Sequence, residues 1–221
     1  MMPDMTQQGQ ASQAPSPTTP NVPVVLFNGV SKSYGRIHAL SNITLALSGG
    51  VTGILGMNGA GKSTLFKLLM GKLRPSAGEV KLFGTNPWKN PAPYARVGFV
   101  PEHEKMHDWM TALEFVSTFA RLHGMTRSEA EKEAIRVLDF VGLRDVANKE
   151  IGRFSKGMRQ RTKIAHALVN DPDLIILDEP LQGCDPLART TIMNVIREPV
   201  SYTHLRAHET KANLVCRLLL E

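Results

Sequence analysis

The chain has 221 residues, 42% of them hydrophobic, a formal net charge of +6 and two cysteines. That suits one domain with at most a subdomain, and it excludes a disulfide framework or a zinc site built on four cysteines. No apolar run approaches the ~18 residues of a membrane span, and Asp4 with its neighbouring glutamines stands where a secretory signal needs a basic start and an apolar segment, so a cytosolic, reducing compartment is expected. The basic residues are dispersed apart from 153–163, and direct nucleic-acid binding is not expected.

Residues 1–22 are rich in Gln, Ser, Thr and Pro and offer little to bury, which predicts a disordered leader. Residues 24–30, 43–47 and 51–55 then read as strands separated by polar turns, with a further short strand at 79–83, and a locally antiparallel sheet is expected before the cradle described next. Tyr34 falls between the first two runs, where its flat ring could stack on a purine.

The third run leads into Gly56-Met57-Asn58-Gly59-Ala60-Gly61-Lys62-Ser63-Thr64. This fits G-x-x-x-x-G-K-[ST], and Leu65, Leu68 and Leu69 continue it as one face of a helix. Strand, glycine loop and helix N-terminus form a phosphate cradle: backbone N–H groups hold the α- and β-phosphates, Lys62 reaches the β/γ oxygens, and the Ser63 hydroxyl ligates Mg²⁺.

Residues 97–100 read as a buried strand ending at Pro101. Thr111 with Glu114, and Thr126 with Glu129, are capping boxes that open two helices, the second stopped by Gly142. Ser155 caps a third helix, predicted over 156–169 and closed by Asn170-Asp171-Pro172. The continuous apolar run Leu174-Ile175-Ile176-Leu177 predicts a central parallel strand buried on both faces, with Asp178 and Glu179 at its C-terminal end, on the cradle's rim. Asp178 can hold Mg²⁺, and Glu179 can polarise a water aimed at the γ-phosphate. Asp185-Pro186 starts another helix.

His103-Glu104-Lys105-Met106-His107 matches H-E-x-x-H, but it follows a strand and Pro101, without the helix and third ligand a zinc protease needs, and reads as a surface loop.

With Tyr34, the cradle, Phe154-Ser155-Lys156-Gly157-Met158-Arg159-Gln160-Arg161, Leu177-Asp178-Glu179-Pro180 and Gly183-Cys184-Asp185-Pro186 in this order, the chain resembles the nucleotide-binding subunit of an ABC transporter. The Phe-Ser-Lys-Gly-Met form, in place of the usual Leu-Ser-Gly-Gly-Gln, is similar to the ATPases that serve ABC-2-type exporters. The resemblance implies an α/β P-loop NTPase fold over 23–198: a RecA-like parallel core, an antiparallel β-subdomain, and an inserted helical subdomain at about 104–157. It implies ATP and Mg²⁺ as ligands, Tyr34 and Asp185 among the nucleotide-binding residues, and Ser155 and Gly157 facing a γ-phosphate held by a second subunit in a head-to-tail dimer. It also implies a membrane-spanning permease as partner, with the chain peripheral at the inner face of the cell membrane. Glu102 stands where the family has a glutamine that offers an oxygen to Mg²⁺. Soluble ATPases of this kind that act on ribosomes or DNA, and regulatory modules that bind ATP without turnover, are the alternatives. The first of these would carry two cradles or a long coiled coil, and neither is seen.

The C-terminal stretch reads differently. Residues 200–210 can be back-translated into the transposon adapter of short-read sequencing libraries, and 213–220 into the flow-cell primer that follows it. Residues 199–221 are therefore expected to be translated adapter, with the fold incomplete at its C-terminus and the family's switch histidine missing; neither His204 nor His208 is assigned to it. The alternative is a natural amphipathic helix, since Leu214, Val215 and Leu218 fall at helical spacing.

Overall fold

The computed structural model describes residues 22–57, 59–102, 106–182, 184, 186–197 and 213–217. Residues 1–21 and the histidine-glutamate segment 103–105 lie outside them, as do Asn58, Gly183, Asp185 and the rest of the C-terminal stretch.

Two sheets organise the described residues. The first is antiparallel, in the order β2-β1-β4, from β1 (Val25–Tyr34), β2 (Ile37–Leu47) and β4 (Ala77–Leu82). Both of its first strands run longer than the sequence pattern suggests, because β1 shifts register between Phe27 and Val30 and again on either side of Lys32. Such bulges break the two-residue alternation by which a strand is recognised. Tyr34, expected in a turn, is the last residue of β1 and pairs with Ile37.

The second sheet is parallel, in the order β3-β7-β6-β5, from β3 (Val51–Ile54), β5 (Val97–Val100), β6 (Leu174–Asp178) and β7 (Asn213–Arg217). Strand β6 is its pivot. Leu174 and Ile176 belong to one hydrophobic cluster with β1, β4 and helix α1 (Lys62–Leu69), whereas Ile175 and Leu177 belong to the other, with helices α2 (Ala112–Leu122), α3 (Arg127–Phe140) and α4 (Lys156–Leu168). Alternate residues of one strand thus anchor two layers, and full burial of each such side chain contributes about 1.5–3 kcal/mol. At the start of the β5–β6 pair, Asp173 N donates to Arg96 O at 2.9 Å while the Arg96 guanidinium bonds the Asp173 carboxylate.

The helical subdomain is held by the expected caps. Thr111 Oγ1 accepts from Glu114 N at 3.1 Å, and Glu114 Oε2 accepts from Thr111 N at 2.8 Å. Thr126 and Glu129 repeat the arrangement at the head of α3. Helix α4 lies directly on β5 because residue 98 is glycine: a Cβ there would stand 2.2 Å from Ala167 O. A fifth helix, α5 (Pro186–Arg197), follows β6.

Strand β7 corrects one expectation. The sheet was expected to lack a strand after α5, yet Asn213–Arg217 pairs between β3 and β6, with Asp178 opposite Arg217 and Val51 opposite Leu214. The helical spacing of residues 213–220 is likewise not realised over these five positions, which are extended. The physical reason is that β3 and β6 each present a row of unpaired backbone groups toward the same gap, and parallel pairing is made by backbone atoms that every residue except proline carries.

One ionisable group sits inside the helical layer. The His166 ring on α4 lies 3.9 Å, centroid to centroid, from that of Phe119 and 5.7 Å from that of Phe115, both on α2. Its Nδ1 is buried with no hydrogen-bond partner among the described residues. Burial, with a smaller contribution from nearby His123, lowers its pKa from 6.5 to about 4. Between these values the unfolded chain takes up a proton that the folded chain refuses, so stability is complete above pH 6.5 and declines as the pH falls toward 4. At about 1.4 kcal/mol per unit the full loss comes to about 3.5 kcal/mol. Denaturant melts at pH 7, 5.5 and 4.5 should show a decline that is shallower in His166→Phe, whose ring packs on Phe119 without a proton to gain. Parallel pH slopes in the two proteins would remove His166 as the cause.

Candidate active site

The cradle turns between β3 and α1. Gly61, the residue that caps α1, has φ +85, in the left-handed region. A Cβ on it would stand 2.5 Å from Ala39 O and 2.7 Å from Leu40 Cδ2 of β2, so only glycine lets the loop close against the β1–β2 hairpin. The first turn of α1 contains no acidic residue, which leaves the positive end of the helix dipole and its unpaired N–H groups for an anion.

Lys62 is 6% exposed. Its ammonium donates to Met57 O at 2.7 Å and to Gly56 O, and is thereby held at the mouth of the loop by carbonyl oxygens. Phosphate oxygens, being charged, are stronger acceptors than these carbonyls. Tyr34 stands at the tip of the hairpin that walls the cradle, 46% exposed, with the Lys32 ammonium 5.4 Å from its ring centroid. Lys32 in turn pairs with Leu40, the residue against Gly61. An exposed ring at the tip of this hairpin is a surface on which a base can stack.

Ser63, Glu102 and Asp178 come together on one cavity of about 240 Å³, between α1 and the C-terminal ends of β5 and β6. These are the three residues assigned to the metal from sequence. A hydroxyl and two carboxylates make an all-oxygen set, the chemistry suited to Mg²⁺, which takes one or two carboxylates and leaves its other positions to water and substrate phosphates. Lys67 and Lys72 line the same cavity and add positive charge to it; the sequence reading did not single them out, although Lys67 lies one helical turn beyond Ser63.

Glu179 follows Asp178 and is 6% exposed. Its φ of 51° places a non-glycine residue in the left-handed region, a conformation that costs about 1–3 kcal/mol and concentrates at functional sites. Pro180 and Leu181 form the turn that follows, closed by Gln182 N donating to Glu179 O at 3.2 Å. The Gln182 side chain returns as well: Nε2 donates to Glu179 Oε2 at 3.0 Å and to Glu102 Oε1 at 3.4 Å. Gln182 was missed from sequence, although proline at the second position of a turn is a signal that would have folded residue 182 back over 179.

Ser155 accepts a hydrogen bond from Met158 N at 3.2 Å and caps α4; Gly157 is buried in the helix's first turn. Neither lines the cavity of Ser63 and Asp178. Asn58 and Asp185 fall outside the described residues.

A glycine cradle on a parallel sheet, with a lysine at its mouth and acids on the neighbouring strand ends, defines a P-loop nucleotide-binding protein. The chain belongs to the ABC transporter ATP-binding protein family, whose model, described as ABC transporter, matches residues 40–182. It is 36% identical over 173 residues to the ABC transporter ATP-binding protein YxlF of Bacillus subtilis, covering 78% of this chain and 57% of that one. It is 37% identical over 174 residues to the Nod factor export ATP-binding protein I of Burkholderia orbicola, covering 77% and 57%. The chain thus spans about half the length of the curated relatives it matches. Among solved structures it is similar to cbiO1 of Clostridium perfringens, part of the cbiONQ complex, with a TM-score of 0.76 and 26% identity over 90% of this chain and 79% of that one. It is also similar to a dimeric ATP-binding cassette in a post-hydrolysis state bound to ADP and Pi, with a TM-score of 0.74 and 27% identity over 88% and 87%.

The close contact at Gly61 makes a test of the cradle. Gly61→Ala combines a left-handed backbone with a collision against Ala39 O, so nucleotide affinity should fall at least 10-fold while the circular dichroism spectrum stays that of the folded chain. Unchanged affinity for a fluorescent ATP analogue would show that the loop does not close on the hairpin.

Proposed function

We propose that this chain is the ATP-binding and ATP-hydrolysing subunit that powers an ABC-type membrane exporter. The convergence of Ser63, Glu102 and Asp178 on one cavity beside the Lys62 loop is the observation that carries the reading. ATP would lie with its adenine toward Tyr34, its phosphates on the N–H groups of residues 59–64, and its γ-phosphate toward Glu179. Ser63, Asp178 and Glu102 would hold Mg²⁺, which when bound neutralises charge on the β- and γ-phosphate oxygens. Lys62 shifts from the loop carbonyls to those same oxygens and stabilises the charge that grows on them as the bond to the leaving group lengthens. Glu179 orients a water and accepts its proton; the water oxygen bonds to the γ-phosphorus as the bond to the β-phosphate oxygen breaks, giving ADP and phosphate.

Ser155 and Gly157, away from the cavity of their own chain, suit a role at a nucleotide held by a second subunit, where the N-terminus of α4 would face the γ-phosphate. Likeness to a dimeric cassette and to a component of a multi-subunit transporter supports a head-to-tail ATPase dimer on a membrane-spanning permease. The chain would then sit in the cytoplasm against the inner face of the membrane. Among the described residues no helix is long and apolar enough to cross it. The export direction draws on the Phe-Ser-Lys-Gly-Met signature and on likeness to Nod factor export ATP-binding proteins.

Two variants separate binding from chemistry. Lys62→Ala should abolish detectable ATP binding in equilibrium titration. Glu179→Gln should keep ATP affinity within about 3-fold and lower turnover at least 100-fold, the scale of a lost general base. Normal turnover in Glu179→Gln would assign the base elsewhere. We further propose that residues 199–221 derive from sequencing adapter. Re-sequencing the source DNA should replace them with another reading frame after residue 198, and recovery of the same codons would refute that origin.

A further inference from the structure

We propose that Gln182 is a positioning residue for hydrolysis: its side-chain amide ties the proton-accepting Glu179 to Glu102 and fixes the direction of the Glu179 carboxylate. The proposal rests on the ATPase reading above. Three contacts carry it. The backbone N–H of Gln182 donates to Glu179 O at 3.2 Å, and Nε2 donates to Glu179 Oε2 at 3.0 Å and to Glu102 Oε1 at 3.4 Å. Glu179 is therefore gripped at its main chain and at its carboxylate by the same residue, three positions along a turn that Pro180 initiates.

The arrangement answers a specific electrostatic problem. Position 102 is a glutamate, so two carboxylates come within 3.4 Å of one nitrogen, and as like charges they push each other apart. A glutamine amide carries two N–H protons and no charge, so it can give one to each carboxylate. Gln182 is itself exposed, so packing contributes little to its placement, and its amide turns to the two acids with water available as an alternative. With Oε2 bound to the amide, rotation of the Glu179 carboxylate about its last bond is stopped, and its plane stays set toward the water it must orient. Gln182 transfers no proton; the water's proton passes to Glu179 alone.

Two substitutions distinguish this from a structural role. Gln182→Leu keeps the stem and removes both donors; Gln182→Glu is isosteric but replaces the donors with a third negative charge. For the full chain, kcat should fall about 10-fold in Gln182→Leu and further in Gln182→Glu, with KM for ATP within about 2-fold, since the cradle is untouched. In the nucleotide-free chain, the ¹⁵N-detected side-chain amide pair of Gln182 should lie away from the position of a solvated glutamine and move on Glu102→Ala and on Glu179→Ala. Retained kcat in Gln182→Glu overturns the positioning role. A Gln182 amide pair at the solvated position, unmoved by either alanine variant, overturns the bridge itself. If the unmodified chain hydrolyses no ATP, the ATPase reading fails, and the amide spectrum still decides whether Gln182 joins the two acids.

Discussion

Strand β6 has no solvent face. Leu174 and Ile176 pack into the layer formed by the antiparallel sheet and α1, and Ile175 and Leu177 into the layer formed by the helical subdomain, so the two halves of the molecule are joined through a ladder of four side chains. Removing one of these side chains leaves a cavity in the layer it packs into, and β5 spans the two layers alongside β6, with Val100 in one and Val97 and Phe99 against the other. The same strand delivers Asp178 and Glu179 to the rim. Burial of the apolar run therefore fixes the position of the acids, and the parallel β5–β6 register, with Val100 opposite Leu177, brings the strand end that leads to Glu102 to the same height.

The site gathers opposed charges. Lys62, Lys67 and Lys72 approach from α1 and the segment after it; Glu102, Asp178 and Glu179 approach from the ends of β5 and β6. In the proposed ATPase reading, a polyphosphate with a divalent cation would match both halves, the lysines suiting its oxygens and the carboxylates the cation. Neutral elements separate the like charges: the loop carbonyls hold Lys62, and the Gln182 amide stands between the two glutamates.

Much of this could be read from residue order. The cradle, the buried run 174–177, both capping boxes and the cap at Ser155 are local devices, each set by a few adjacent residues with one physical solution, and they stand where their spacing put them. Long-range pairing was less legible. The length of β1 was hidden by its bulges, since the polar residues after Val30 read as a turn. The convergence of Lys67 and Lys72 on the cavity depends on how α1 sits over β5, which no local pattern encodes. Glu179 shows a third kind of gap: its left-handed backbone opposes local preference, and only the surrounding turn and hydrogen bonds hold it there.

Strand β7 joins the sheet through main-chain hydrogen bonds on both sides, from Val51 opposite Leu214 to Asp178 opposite Arg217. Main-chain groups do not identify the molecule they belong to. A gap between β3 and β6 selects for an extended segment of five residues without proline, and for little else, so covalent attachment is what gives residues 213–217 their advantage over the same segment of a neighbouring molecule. That advantage is an effective local concentration. As the protein concentration rises toward that value, strand donation between chains becomes competitive, and the fold contains the means of its own domain-swapped assembly.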